Sequence, residues 1–181
     1  MNTTVTEEVV INNPIGNLYR KNHVLILIVD EQGKFILGKK KDFYPSHVAR
    51  MLGGGIKDGE TPARSAQREI LEELGVDIPF SSLNTLGSVV TKADTLEGAM
   101  EMQTWIYQVL LPKSTIINPS DDISGIQLFT QTEYINLIQD ILNLTGEFKT
   151  DKYSFSWADW GKIYGPIHAH ALEWYKNHKD K

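Results

Sequence analysis

From His23 to Asp30 the chain runs almost without a break through β-branched and leucine side chains, the pattern of a strand covered on both faces. Glu31-Gln32-Gly33 reads as a tight turn, and Lys34 to Lys40 as a second strand closing a hairpin. Upstream, residues 1–17 alternate polar and aliphatic positions (Val5, Val9, Val10, Ile11) and reach the turn cluster Asn12 to Asn17, which predicts an arm or an edge strand. Val48 to Leu52 reads as a short strand delivering Gly53-Gly54-Gly55. Leu83 to Thr91 and Met102 to Leu111 read as two further strands, joined by polar Lys92 to Glu101, which has the composition of a mobile loop at a pocket mouth. Trp105 and Tyr107 share a face by period two, either as core or as a wall for a flat ligand group. Asn118 to Asp122 reads as a turn, Ile126 to Phe129 as a short strand, and Gln131 to Leu142 as a helix carrying Ile135, Leu137, Ile138, Ile141 and Leu142, with Gly146 ending this segment. The aromatic stretch Tyr153 to Trp160 then leads to a last helix from Pro166 to about His178. So many rings demand burial, on the main sheet or a second subunit ahead of a nucleobase cage.

One stretch breaks the strand pattern. Thr61 can cap a helix, Pro62 suits its first position, and Gly75 can end it in the left-handed conformation. Between them Ala63, Ala66, Ile70 and Leu74 form an apolar stripe at 3-and-4 spacing. Glu69, Glu72 and Glu73 fall within roughly a 100° arc beside it. Arg68 stands four residues before Glu72, placed to orient it. A solvated acidic face is the plain alternative, but Glu69 and Glu73 repel at i,i+4, and a divalent cation would turn that repulsion into coordination. The three glycines before the helix let backbone approach a ligand closely. Glu60 reads as a turn or capping acid partnered with Arg64 or Arg68.

Lys39, Lys40 and Lys41 end the second strand, followed by Phe43-Tyr44-Pro45. The lysines can hold phosphates as point charges or form a solvated strand end. Phe43 and Tyr44 either pack around a loop or stack on a base. Lys39, Lys41 and Tyr44, with the backbone of Gly53 and Gly54, are the candidate substrate contacts. His168 and His170 fall on nearly opposite sides of a helix, against a paired metal site; His23 and His47 stand single.

Composition narrows the partners. The 181 residues are 41% apolar and 23% charged, with a formal charge of −5, so no global field favours nucleic acid or an anionic membrane. There is no cysteine, which removes disulfide, thiolate and cysteine–zinc chemistry. Met1 to Val10 lacks a basic-then-apolar signal pattern, and the longest apolar run, Val24 to Val29, is too short to span a bilayer. A soluble, cytoplasmic protein is expected. Carboxylates without cysteine or convergent histidine point to a hard cation, Mg²⁺ or Mn²⁺.

The run Gly54-x5-Glu60-x7-Arg68-Glu69-Ile70-x-Glu72-Glu73-x-Gly75-Val76 resembles the signature of the Nudix hydrolases at every position. Its seven fixed identities have a chance probability on the order of 10⁻⁸ at a given start, from average composition. The resemblance implies an α/β/α sandwich, with a mixed central sheet and the catalytic helix at about 61–74 on one face. It implies a Mg²⁺-dependent hydrolase that cleaves a phosphoanhydride bond in a nucleoside diphosphate-linked substrate by metal-activated water. It further implies that Glu69, Glu72 and Glu73 bind metal with the Gly54 carbonyl, that Glu69 can act as base, and that Arg68 orients the acids. An extra acid from a distant loop is expected: Asp121 or Asp122, then Glu97 or Glu101. The resemblance covers roughly residues 22–145. It leaves an arm at 1–21 and an aromatic segment with a helix at 146–181, packed on the domain or on the partner of a homodimer.

Two other functions compete. Isopentenyl diphosphate isomerases have a related fold but use a catalytic cysteine, absent here. A non-catalytic nucleotide sensor would erode the acidic positions, and all are present. The substrate stays open.

Overall fold

β2 (Asn22–Asp30) and β3 (Phe35–Lys40) pair directly at Ile28–Ile36 and Val29–Phe35, and then part. Residues 50–55 lie in the gap: Arg50 bridges Gly38, Leu52 bridges Ile26, and Gly55 bridges His23. The expected strand at Val48 to Leu52 is therefore a set of single bridges wedged into a splayed hairpin. Three glycines suit that place, because Gly53 takes φ 137° and a Cβ on it would sit 2.2 Å from the Val24 carbonyl oxygen. The computed structural model describes residues 3–12, 20–40, 43, 45–150 and 154–179. The turn at Asn13 to Asn17 and residues Lys41, Tyr44 and Tyr153 lie outside them.

The main sheet is mixed. β1 (Thr3–Val10) forms one edge, parallel to β4 (Asn84–Thr95), which is antiparallel to β5 (Gly98–Leu111). β5 runs parallel to β2, and β3 runs antiparallel to β6 (Ile123–Phe129), so the order is β1-β4-β5-β2-β3-β6. The polar stretch Lys92 to Glu101 is not a mobile loop. Lys92 pairs with Glu101 and Asp94 with Ala99, and the chain turns tightly at Leu96-Glu97. Backbone pairing and an opposite-charge cross-strand pair override the loop-like composition.

Alternation along β2 divides the core. Val24, Ile26 and Ile28 pack toward Ala66, Ile70 and Leu74 of α1 (Pro62–Leu74). Leu25, Leu27 and Val29 join a layer with α2 (Gln131–Leu142) and α3 (Trp157–Lys179). Helices thus cover both faces of the mixed sheet, an α/β/α sandwich. Trp105 and Tyr107 belong to the α1 side of the core. Phe43 packs against Phe148, Phe155 and Trp157 at centroid distances of 4.8–5.8 Å. A two-stranded ribbon of β7 (Glu147–Lys149) and β8 (Ser154–Ser156) leads into α3.

α3 begins nine residues before the expected start at Pro166. An internal proline costs about 3 kcal/mol. Each large apolar side chain buried contributes about 1.5–3 kcal/mol, and Trp157, Trp160, Ile163, Tyr164 and Ile167 are all buried at helical spacing. The stripe wins. Gly161 lets α3 approach α2 closely, since a Cβ there would lie 2.2 Å from the Ile141 carbonyl oxygen.

Candidate active site

The acidic helix forms as its ends dictate. Thr61 Oγ1 accepts the Arg64 N–H, Pro62 opens the helix, and Gly75 closes it at φ 66°. Free carbonyls at its C-terminus are taken by the loop before β6: the Asn118 N–H donates to Leu74 O, and the Ser120 N–H to Glu73 O. That loop brings Ser120 and Asp122 to a cavity of about 340 Å³.

Glu69, Glu72 and Glu73 all line this cavity, beside Gly53, Gly54 and Gly55. The Gly54 backbone lies against Glu69, because a Cβ on Gly54 would stand 2.6–2.8 Å from the carboxylate atoms. Glu73 Oε2 accepts the Gly53 N–H at 2.8 Å, and Arg50 approaches its other oxygen at 3.8 Å. Burial pushes the Glu73 carboxyl up, and Glu69 adds to this, while Arg50 and the Gly53 N–H pull it down. Glu72 is half-exposed and held by Arg68 Nη1 at 2.8 Å and Lys57 Nζ at 3.4 Å.

Arg68 organises the helix face. Its Nε and Nη2 donate to the two Glu60 oxygens at 2.9 and 3.0 Å, a bidentate pair. Its Nη1 donates to Glu69 Oε1 at 2.6 Å, and its Nη2 also reaches the Gly55 carbonyl at 3.0 Å. Arg68 holds the Glu60 carboxyl down to about 2, and its own pKa is raised, first by Glu60. As they stand, the carboxylates rest on basic or N–H partners. Among the described residues no three acidic or histidine side chains form a ready metal cluster. The donor set nevertheless fits a hard cation: carboxylate oxygens on one cavity, and a Gly54 carbonyl whose bond to the Val24 N–H leaves a second lone pair.

Other sequence candidates divide. Lys39 donates to the Ser46 carbonyl and Lys40 lines the cavity instead; the β3–β6 register shifts between the two. Asp122 lines the cavity, whereas Asp121, Glu97 and Glu101 are not among the described residues that do. Arg20, His23, Arg50, Trp160 and Tyr164 also line it. Arg20, His23 and Arg50 carried no local signal and gain their meaning from the wedge between β2 and β3, whereas Trp160, the end of the aromatic stretch, and Tyr164 arrive on α3. His168 is buried and bonded to the Tyr134 hydroxyl at 2.8 Å, and His170 reaches Glu7 at 2.6 Å, so neither belongs to the site.

A family model described as NUDIX domain matches residues 19–149. A Nudix hydrolase of Deinococcus radiodurans is 27% identical over 124 residues, 67% of this chain and 70% of that protein. An oxidized purine nucleoside triphosphate hydrolase of Danio rerio is 28% identical over 72 residues, 40% of this chain and 45% of that protein. In fold, the chain is similar to a solved Ap4A hydrolase from C. elegans, with a TM-score of 0.53 and 15% identity over 88% of this chain and 97% of that one. Sandwich and acidic helix together define a pyrophosphohydrolase, an enzyme acting on acid anhydrides. The chain belongs to the Nudix family.

Proposed function

We propose that the protein uses Mg²⁺, with Mn²⁺ as a substitute, to cleave a phosphoanhydride bond in a nucleoside diphosphate-linked small molecule. The observation that carries this reading is the convergence of Glu69, Glu72, Glu73 and the Gly53–Gly55 backbone on one cavity that also holds Lys40 and Arg50. Glu69, Glu72, Glu73 and the Gly54 carbonyl would hold the cation, with Asp122 as the additional loop acid. Such an ion supplies Lewis acidity and neutralises charge on phosphate oxygens.

The chain's own groups do the rest. Water attacks one phosphorus, the anhydride P–O bond breaks, and the departing phosphate oxygen leaves with the electron pair. Arg68 occupies Oε1 of Glu69, which leaves Oε2 either to hold the cation or, when it is not bound to it, to take the proton of the attacking water. Lys40 and Arg50 hold phosphate oxygens. The names of the relatives support a nucleotide substrate: one is a hydrolase of oxidized purine nucleoside triphosphates, another of Ap4A. No helix among the described residues is long and apolar enough to cross a membrane.

The test is a panel of nucleoside diphosphate-linked compounds with Mg²⁺ or Mn²⁺, scored by released phosphate after coupling to a phosphatase. Turnover of a panel member is expected. Silence across the panel would overturn the reading.

A further inference from the structure

Each acid of α1 has one carboxylate oxygen bonded within the protein. Arg68 Nη1 donates to Oε1 of Glu69 and to Oε2 of Glu72, and the Gly53 N–H donates to Oε2 of Glu73. The second oxygens are the ones a divalent cation would use. Two of these meet a side-chain cation. Arg50 stands 3.8 Å from Glu73 Oε1, and Lys57 Nζ donates to Glu72 Oε1 at 3.4 Å.

The two cations differ in place. Arg50 lines the cavity and is largely buried. Lys57 is not among the described residues that line it, and its side chain is 65% exposed, so it reaches Glu72 from the rim. It is therefore set against a carboxylate of the site and not against the inside of the cavity. Its starting point is also fixed. The Lys57 N–H donates to Glu60 Oε2 at 3.1 Å, and the Glu60 N–H donates back to the Lys57 carbonyl at 3.0 Å. Gly59 takes φ 77° in the turn between them. Glu60 is itself gripped by Arg68 through both carboxylate oxygens. One acid thus holds both partners of Glu72, Arg68 by its guanidinium and Lys57 by its backbone. Lys57 fills one of the five unspecified positions between Gly54 and Glu60, so the signature around it gives it no role.

An exposed ion pair stabilises a fold very little. Toward a cation it acts differently. A divalent ion at Glu72 must displace the ammonium and then stand close to a like charge. In water, screened by salt, the two effects together change binding on the order of fivefold.

We propose that Lys57 sets the affinity of the acidic site for its divalent cation. The ammonium competes for Glu72 Oε1, so the site fills only at a higher ion concentration than its carboxylates alone would need. This rests on the hydrolase reading of the site and adds to it a residue that governs how much metal the enzyme requires.

Mn²⁺ binding to the full chain tests it without turnover, read from the electron paramagnetic resonance of the free ion with no substrate present. Lys57→Met keeps the apolar stem and is expected to lower Kd for Mn²⁺ on the order of fivefold. Lys57→Arg keeps the charge and should stay within about twofold of the parent. Arg64→Met removes an exposed cation of α1 that does not line the cavity, and should leave Kd unchanged. Glu72→Gln should weaken binding, which assigns the ion to this site. Damage to the fold weakens binding too, so a gain in affinity cannot arise from it. A Kd unchanged in Lys57→Met, or lowered equally in Arg64→Met, would overturn the role of Lys57 and leave the hydrolase reading standing. No Mn²⁺ bound by the parent, or binding untouched by Glu72→Gln, would overturn both.

Discussion

Glu73 accepts the backbone N–H of Gly53 at 2.8 Å, across twenty residues of chain. This bond ties the acidic helix to the strand-like wedge between β2 and β3. It also explains how a carboxylate can sit largely buried without a full salt bridge, since a backbone N–H and a nearby guanidinium share the task.

Glu72→Gln and Glu73→Gln should each cut turnover on the order of 10²-fold or more at saturating Mg²⁺. Stability should change by less than about 1 kcal/mol, because neither change creates a cavity and the Glu73 change removes a costly buried charge. Chelation of divalent metal should abolish turnover in the parent protein. Phosphate release and urea unfolding measure the two effects. Wild-type turnover in either variant would refute the metal assignment.

The glycines around the wedge should differ sharply. Gly54→Ala puts a methyl 2.6 Å from Glu69 Oε1, so Glu69 must move and turnover should drop while the fold survives. Gly53→Ala meets the Val24 carbonyl at 2.2 Å at φ 137°, and should destabilise by about 3 kcal/mol. Gly59→Ala, with open space at φ 77°, should cost only about 1 kcal/mol. Equal losses at all three positions would contradict this ordering.

Gly161→Ala should push α3 away from the Ile141 carbonyl. We expect a loss of about 1–3 kcal/mol in urea unfolding, together with a raised KM, since Trp160 and Tyr164 ride on the same turns. A stability loss with KM unchanged would uncouple α3 from the cavity.

Acid should unfold the protein partly through His168. Burial, then Arg50, holds its ring down to about 3 from an ordinary 6.5, so the unfolded chain binds the extra proton as pH falls. Its contribution is fully present above pH 6.5 and is lost progressively toward pH 3. The double variant Tyr134→Phe/His168→Phe removes both partners of the buried bond. Between those pH values its stability should fall less steeply, by about 1.4 kcal/mol per pH unit, the effect of one proton. Unfolding curves at several pH values would show this, and parallel slopes would disprove it.

Local chemistry made the acidic helix legible. Thr61, Pro62 and Gly75 mark its ends with residue types that do those jobs anywhere. The apolar positions of β2 and α2 were equally plain, because hydrophobic period acts over a few residues. The stretch from Lys92 to Glu101 misled because its polar residues lie on exposed strand positions, where composition says little about pairing. The start of α3 misled because Gly161, Gly165 and Pro166 look like breakers until α2 is alongside.

Sequence alone thus determined the acidic helix, the order of most elements and the family, since each rests on spacing within a short window or on residue type. Tertiary structure decided which distant groups share the cavity. Lys40 rather than Lys39 faces it because pairing slips at the end of β3. Arg20, His23 and Arg50 reach it because two strands part around a glycine wedge. Trp160 and Tyr164 close it because a buried aromatic stripe outweighs a proline and draws α3 onto the sheet. Those outcomes depend on contacts between residues far apart in the chain, and no local pattern encodes them.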